Sequence, residues 1–264
     1  MTDEKVNSAV LEAQHLVKRF HGHAAVSDVS FTLAPGEILG YLGPNGSGKS
    51  ITLKMLTGLL EPTSGHVVYD GRDVTGGDVE FRRCFGYVPE EPHLYPFLSG
   101  REYLDLVAGL RELPARESAE KIEALLDLFG LSDGAAQSIS AYSKGMKQKT
   151  LLIAALLHDP KLIVLDEPES GLDVGSILLL RHLVRLLAGR GKAILYSSHV
   201  VENVERLCSR VIVLSAGRVI VDGSVNRIRT VAPSGSLEES FATLAAQRPD
   251  SVAAQIADVV TAHG

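Results

Sequence analysis

The sequence predicts an α/β fold with a largely parallel sheet and an all-helical insertion. Three observations lead there. Short apolar runs alternate with longer stretches of helical periodicity, a glycine-rich loop joins one such run to a helix, and between residues 91 and 158 the strand pattern gives way to helices alone. The 264 residues suit one large domain or two modest ones, at about 150 residues per domain. With 45% hydrophobic and 22% charged residues and a mean hydropathy of +0.13, the chain has ample material for a core. That composition excludes a disordered or fibrous protein. Residues 9–229 read as one two-lobed domain, and residues 230–264 as an appended linker and helical tail.

The elements follow in order. Residues 37–42 (EILGYL) form a strand, followed by the glycine-rich loop and a helix over residues 49–60 that stops near Gly58, with Pro62 barring its continuation. Residues 66–70 and 84–88 are short strands. Within the insertion, residues 100–111 and 116–128 have helical spacing, and Leu104, Val107 and Leu110 are expected on one face. The sheet resumes at residues 162–165 (LIVL), a continuous apolar run of the kind buried on both faces of a parallel sheet. A helix over 176–188 and a strand over 193–196 come next, then a hairpin of residues 210–214 and 218–222 around Ala216-Gly217. In the tail, Ser236 and Glu239 fit a capping box before a short helix carrying Leu237, Phe241 and Leu244 on one stripe.

Lys and Arg number 26 against 32 Asp and Glu, a net charge of −6. A chain that coats nucleic acid usually shows a basic field, so no nucleic-acid partner is expected. Cys84 and Cys208 cannot build a disulfide framework and are expected as reduced core thiols. The first ten residues lack the basic head and apolar stretch of a secretory signal. No apolar run approaches the about 18 residues that cross a bilayer. The expectation is a soluble, cytoplasmic chain that reaches a membrane only through another, spanning polypeptide.

Residues 43–50 read GPNGSGKS and match G-x-x-x-x-G-K-[ST]. Gly43, Gly46 and Gly48 let the backbone close around a phosphate, so that the N–H groups of Asn45, Gly46, Ser47, Gly48 and their neighbours converge on it. The helix that follows aims its partly positive end at the same point. Lys49 reaches the β- and γ-phosphates, and the Ser50 hydroxyl is placed to ligate Mg²⁺. The net negative charge does not oppose this, because a local concavity of donors outweighs the distant sum. Downstream, the run LIVL ends in Asp166-Glu167. An acidic pair directly after a buried strand suits a metal-organising Asp166 followed by Glu167 as the carboxylate that polarises or deprotonates an attacking water. His199 follows the strand 193–196, at the end where nucleotide sites of parallel sheets lie.

Together these residues resemble the ATP-binding subunit of an ABC (ATP-binding cassette) transporter. GPNGSGKS, Tyr142-Ser143-Lys144-Gly145-Met146-Lys147-Gln148, LIVLDEP, Ser170-Gly171-Leu172-Asp173 and Ser198-His199 occur in the family's order. The likeness runs over about residues 9–223, and the SLEESF tail is like that of exporter-type subunits. The resemblance implies a P-loop NTPase with a RecA-like mixed sheet core, an antiparallel β subdomain and an all-helical subdomain over about residues 91–158. It implies ATP and Mg²⁺ as ligands, with Ser50, Glu90 and Asp166 toward the metal and His199 as a contact to the γ-phosphate. Phe20 matches the aromatic that stacks on adenine, and Val26 the residue that packs near the sugar. The YSKGM segment looks like the family's LSGGQ signature, with Ser143 and the Gly145 backbone offering donors to an anion at the start of a helix. In the family that anion is the γ-phosphate held by a second subunit, which implies a two-fold dimer with two ATP molecules sandwiched between copies. A separate transmembrane permease, contacted around residues 90–98, would place the chain at the inner face of the cell membrane.

The sequence departs from the family pattern at four positions. Glu90 stands where Gln is usual, Lys144 replaces the first signature glycine, Met146 replaces the signature Gln, and Ile51 replaces the hydroxyl residue after Ser50. Glu90 can still ligate Mg²⁺ but adds repulsion toward the γ-phosphate. Lys144 either brings positive charge beside a sandwiched phosphate or points into solvent. Ile51 keeps only its backbone N–H for the α-phosphate. None of these changes removes a catalytic group, and the expectation is an ATP-hydrolysing subunit of an exporter. The alternatives are a soluble ABC ATPase of DNA repair or translation, and a nucleotide-gated module that does not hydrolyse.

Overall fold

Apolar runs become parallel strands here because each is wanted by two cores at once. The computed structural model describes residues 9–226; the tail expectations, the Ser236–Glu239 cap among them, lie outside those residues. In chain order the strands are β1 (Leu11–Phe20), β2 (His23–Leu33), β3 (Ile38–Leu42), β4 (Ser64–Tyr69), β5 (Arg72–Asp73), β6 (Phe85–Val88), β7 (Leu162–Asp166), β8 (Ala193–Ser198), β9 (Arg210–Ser215) and β10 (Arg218–Ser224). The helices are α1 (Lys49–Leu56), α2 (Val79–Cys84), α3 (Gly100–Leu110), α4 (Ala115–Leu128), α5 (Lys144–Leu156), α6 (Val174–Gly189) and α7 (Val201–Leu207).

A six-stranded sheet has the order β10-β9-β3-β8-β7-β6. All its pairings are parallel except the β9–β10 hairpin. Side chains alternate along each strand, and here each face has its own core. Leu42, Ile163, Leu165, Ile194, Tyr196, Val211 and Val213 join the cluster under the helices. Leu39, Tyr41, Leu162, Val164, Leu195, Ile212 and Leu214 join a second cluster with a four-stranded antiparallel sheet, ordered β2-β1-β4-β5. The mixed sheet, antiparallel layer and helical insertion are the architecture anticipated.

The differences are local and physical. No element is anticipated for residues 11–33, yet β1 and β2 lie there. Leu11 and Ala13 are buried, but the next buried residue is Leu16, because the register shifts between Ala13 and Leu16 and His15 adopts a φ of 51°. The bulge breaks the alternation that marks a strand. Helix α1 ends at Leu56, short of residue 60, where Gly58 takes a φ of 66° and packs on the Gly77 backbone. In α3 the buried face is Gly100, Leu104 and Ala108, and Leu110 is 66% exposed. At about 100° per residue, two three-residue steps carry Leu110 about 120° from Leu104, while Ala108 stays within about 40°. Cys208 is buried as expected, whereas Cys84 is only half-buried.

Helix α5 lies so close to β6 that a Cβ at Gly86 would fall on the carbonyl oxygen of Ala155. Backbone cannot retreat as a side-chain tip can. Gly86→Ala is therefore expected to destabilise the fold by about 1–3 kcal/mol, read as a lower urea midpoint with an unchanged m-value. A midpoint equal to the parent's would show that this packing is not tight.

Candidate functional site

Strand β3 delivers the chain to the glycine-rich loop, and Gly48 (φ 101°) caps α1. A left-handed residue is needed there, and a Cβ on Gly48 would also lie 2.7 Å from the Ala25 carbonyl oxygen. Asn45 and Gly46 face solvent, and Ser47 is buried with its Oγ unpartnered. Lys49 is buried, and its Nζ donates to the Gly43 carbonyl at 2.6 Å and the Pro44 carbonyl at 3.3 Å. Burial lowers its pKa, opposed by the carboxylates of Glu167, Asp166 and Glu90. A cleft of about 290 Å³ is lined by Asn45, Gly46, Gly48, Lys49, Ser50, Ile51, Glu90 and Glu167.

The parallel register sets β7 and β8 side by side, pairing Asp166 with Ser197. Asp166 is 1% exposed, and its Oδ1 has no hydrogen-bond partner. Burial raises its pKa, with the Ser197 and Ser50 hydroxyls pulling the other way. An unpartnered buried carboxylate oxygen next to the Ser50 hydroxyl is what a hard divalent cation such as Mg²⁺ binds, so the residues fit that ion. Glu90 opens onto the same cleft from the loop after β6.

Glu167 sits at φ 47°, in the left-handed region. That conformation costs on the order of 1–3 kcal/mol in a non-glycine residue and clusters at functional sites. Its N–H donates to the Ser197 carbonyl at 3.2 Å, and its Oε1 lies 2.8 Å from His199 Nδ1. Burial raises the Glu167 pKa, against the lowering influence of His199 and then Lys49. The arrangement is a desolvated carboxylate and an imidazole beside a phosphate-sized cradle, suited to drawing a proton from water.

The family model described as ABC transporter matches residues 26–170, more than half of the chain and the whole stretch from the glycine-rich loop to Glu167. The chain belongs to the ABC transporter family. It is 41% identical over 201 residues to an ABC transporter ATP-binding protein of Nostoc sp., all4389, covering 75% of this chain and 59% of that relative. It therefore spans less than two thirds of that relative's length. It is 38% identical over 216 residues to the Nod factor export ATP-binding protein I of Burkholderia pseudomallei, covering 82% and 71% of the two chains. A solved ATP binding subunit of an ABC transporter superposes with a TM-score of 0.83 at 34% identity, covering 89% of this chain and 99% of that one.

In this ABC transporter domain, Ser143 caps α5, its Oγ accepting from the Met146 N–H at 3.2 Å, and remains exposed. Gly145 runs against the Gly171 carbonyl oxygen, which a Cβ would approach to 2.7 Å. Lys144 is exposed but does not point freely into solvent: its Nζ donates to Ser170 Oγ at 2.6 Å. Val26 corrects the expectation of a sugar contact. It is wholly buried with its Cγ2 against Gly48, so it braces the loop from behind. Phe20 closes β1 with 42% exposure, and Lys18 Nζ lies 5.4 Å from its ring centroid.

Residues that sequence reading passed over hold the loop after β7. Glu169 accepts from Arg181 Nε at 2.7 Å, Arg181 Nη2 at 2.9 Å and Tyr196 OH at 2.7 Å. Arg181 Nη2 also reaches Asn203 Oδ1 at 2.7 Å, and the buried Gln148 donates to the Pro168 carbonyl at 3.2 Å. The available signal was Arg181 standing directly after the apolar run Ile177–Leu180 of α6, next to the buried Leu180.

The raised pKa of Asp166 means that the folded chain keeps a proton that the unfolded chain has lost. Between the two pKa values, stability falls as pH rises. Asp166→Asn removes the charge at similar volume. It is expected to raise the thermal midpoint at about pH 8, with a gain that shrinks toward the unfolded-state value of about 3.9. Melting curves across that range check it; a gain independent of pH would contradict a buried, unpaired carboxylate.

Proposed function

We propose that the chain hydrolyses ATP to power a membrane exporter, acting as a two-fold dimer that closes on two sandwiched nucleotides. The approach of His199 to Glu167 beside the glycine-rich cleft carries this reading, because a clamp that only bound nucleotide would need neither a strained, desolvated carboxylate nor its imidazole partner. Asn45, Gly46, Ser47, Gly48 and Ile51 would offer backbone N–H groups to the phosphates, with Val26 behind them and Phe20 toward the base. Lys49 would leave its carbonyl partners for the β- and γ-phosphates. Mg²⁺, held by Ser50, Asp166 and Glu90, would neutralise phosphate charge. Glu167 takes the proton of the attacking water as its oxygen joins the γ-phosphorus and the bond to the β–γ bridging oxygen breaks. His199, 2.8 Å from Glu167, would hold that carboxylate and contact the γ-phosphate. Ser143, exposed at the start of α5, and the half-buried Gly145 backbone would complete the second copy's site.

Likeness to a relative named for export supports the export direction. A permease partner suits residues 90–98, where Tyr95 and Phe97 are exposed and 5.9 Å apart. That contact would hold the chain at the inner membrane face, with the helical subdomain (about residues 91–158) passing dimer closure to the permease. No helix among the described residues is long and apolar enough to cross a membrane itself.

Glu167→Gln is expected to retain ATP binding, to lose about 10²–10⁴-fold in turnover and to elute as a dimer with ATP. Parental phosphate release from that variant would remove Glu167 from the mechanism. Lys49→Ala is expected to abolish ATP binding by titration calorimetry, and undiminished affinity would contradict the cradle. Co-purification with a polytopic membrane protein supports the transport role, whereas association with ribosomes or DNA overturns it.

A further inference from the structure

The residues that hydrolysis would use sit on two separate segments, and a single partly buried polar network ties both down. Glu169 follows Glu167 by two positions on the loop after β7. Tyr196 precedes His199 by three positions on β8, and Asn203 follows it by four on α7. Glu169 receives the Tyr196 hydroxyl at 2.7 Å and both prongs of Arg181, and Arg181 hands its Nη2 on to Asn203 at 2.7 Å. The Glu169 and Arg181 side chains are only 11% and 13% exposed. Screening is therefore weak, and a bidentate fork fixes angle as well as distance.

We propose that Glu169, Arg181, Tyr196 and Asn203 are positioning residues that set the spacing between Glu167 and His199. The inference rests on the hydrolytic role given above to that pair. The geometry leads there because the segment bearing His199 is gripped on both sides, at Tyr196 and at Asn203, by the pair that anchors the segment bearing Glu167. A purely structural ion pair between the β7 loop and α6 would require neither of those outer links. Other contacts carry the fold: Arg185 Nη2 donates to the Arg206 carbonyl at 2.7 Å, and the buried Val201, Val204 and Leu207 seat α7 in the core. Loosening the outer links should thus free the start of α7 without unseating the helix.

The test keeps the ion pair and cuts both outer links with Tyr196→Phe plus Asn203→Ala in the full chain, with Mg²⁺ and ATP supplied. Misplacing a catalytic group by about 1 Å can cost on the order of 100-fold. The double variant is expected to lose at least about tenfold in kcat, with KM for ATP within about twofold of the parent. In a Glu167→Gln background the same pair of changes should cost nothing further, because the network acts through Glu167. Parental kcat in the double variant, or an equal further loss in the Glu167→Gln background, would overturn the positioning role. If turnover survives Glu167→Gln alone, the hydrolytic reading itself fails and takes this inference with it. Turnover that needs Glu167 but ignores the double change fails the network alone.

Discussion

The molecule depends on the parallel register of β3, β8 and β7. Leu42 pairs with Ser198 and Asp166 with Ser197, so three strands far apart in the chain finish level with one another. Their carboxyl ends place the glycine-rich loop, the acidic pair and His199 along one edge, where ligands of open parallel sheets bind. The register is held by cores on both faces. A slip of one residue would exchange the side chains that the helical cluster and the antiparallel layer each receive. Chemistry at the edge is thus secured by packing behind it.

That packing sustains local features that are unfavourable in themselves. Asp166 is buried with an unpartnered oxygen, Glu167 occupies the left-handed region, and Lys49 folds back onto carbonyls of its own loop. Each costs stability on its own and persists because the surrounding packing fixes it. The lowered Lys49 pKa and the raised pKa values of Asp166 and Glu167 express the same fact: burial disfavours the charged form of each.

The loop between β7 and α6 is held from two directions. From one side α5 holds it, through Gln148 on Pro168 and Lys144 on Ser170; from the other, Arg181 and Tyr196 hold Glu169. The segment that opens α5 and the segment that follows Glu167 are therefore mechanically joined within one chain. Lys144 contributes to that join through its side chain, which reaches Ser170.

What the sequence determined by itself were features written among near neighbours. The apolar run of β7, the strand–loop–helix around GPNGSGKS, the β9–β10 hairpin and the Asp166-Glu167 pair all depend on residues a few positions apart, and all were legible. The bulged β1 was not, because an unpaired residue erases the alternation that marks a strand. The inward side of α3 was misplaced for another reason: steps of three drift off the face that the four-residue spacing of Gly100, Leu104 and Ala108 keeps. Only the tertiary structure turned Val26 away from the cleft, tied Lys144 to Ser170 and assembled Glu169, Arg181, Tyr196 and Asn203 into one network. Those outcomes rest on contacts between residues remote in the chain, which exist only once burial has brought the elements together.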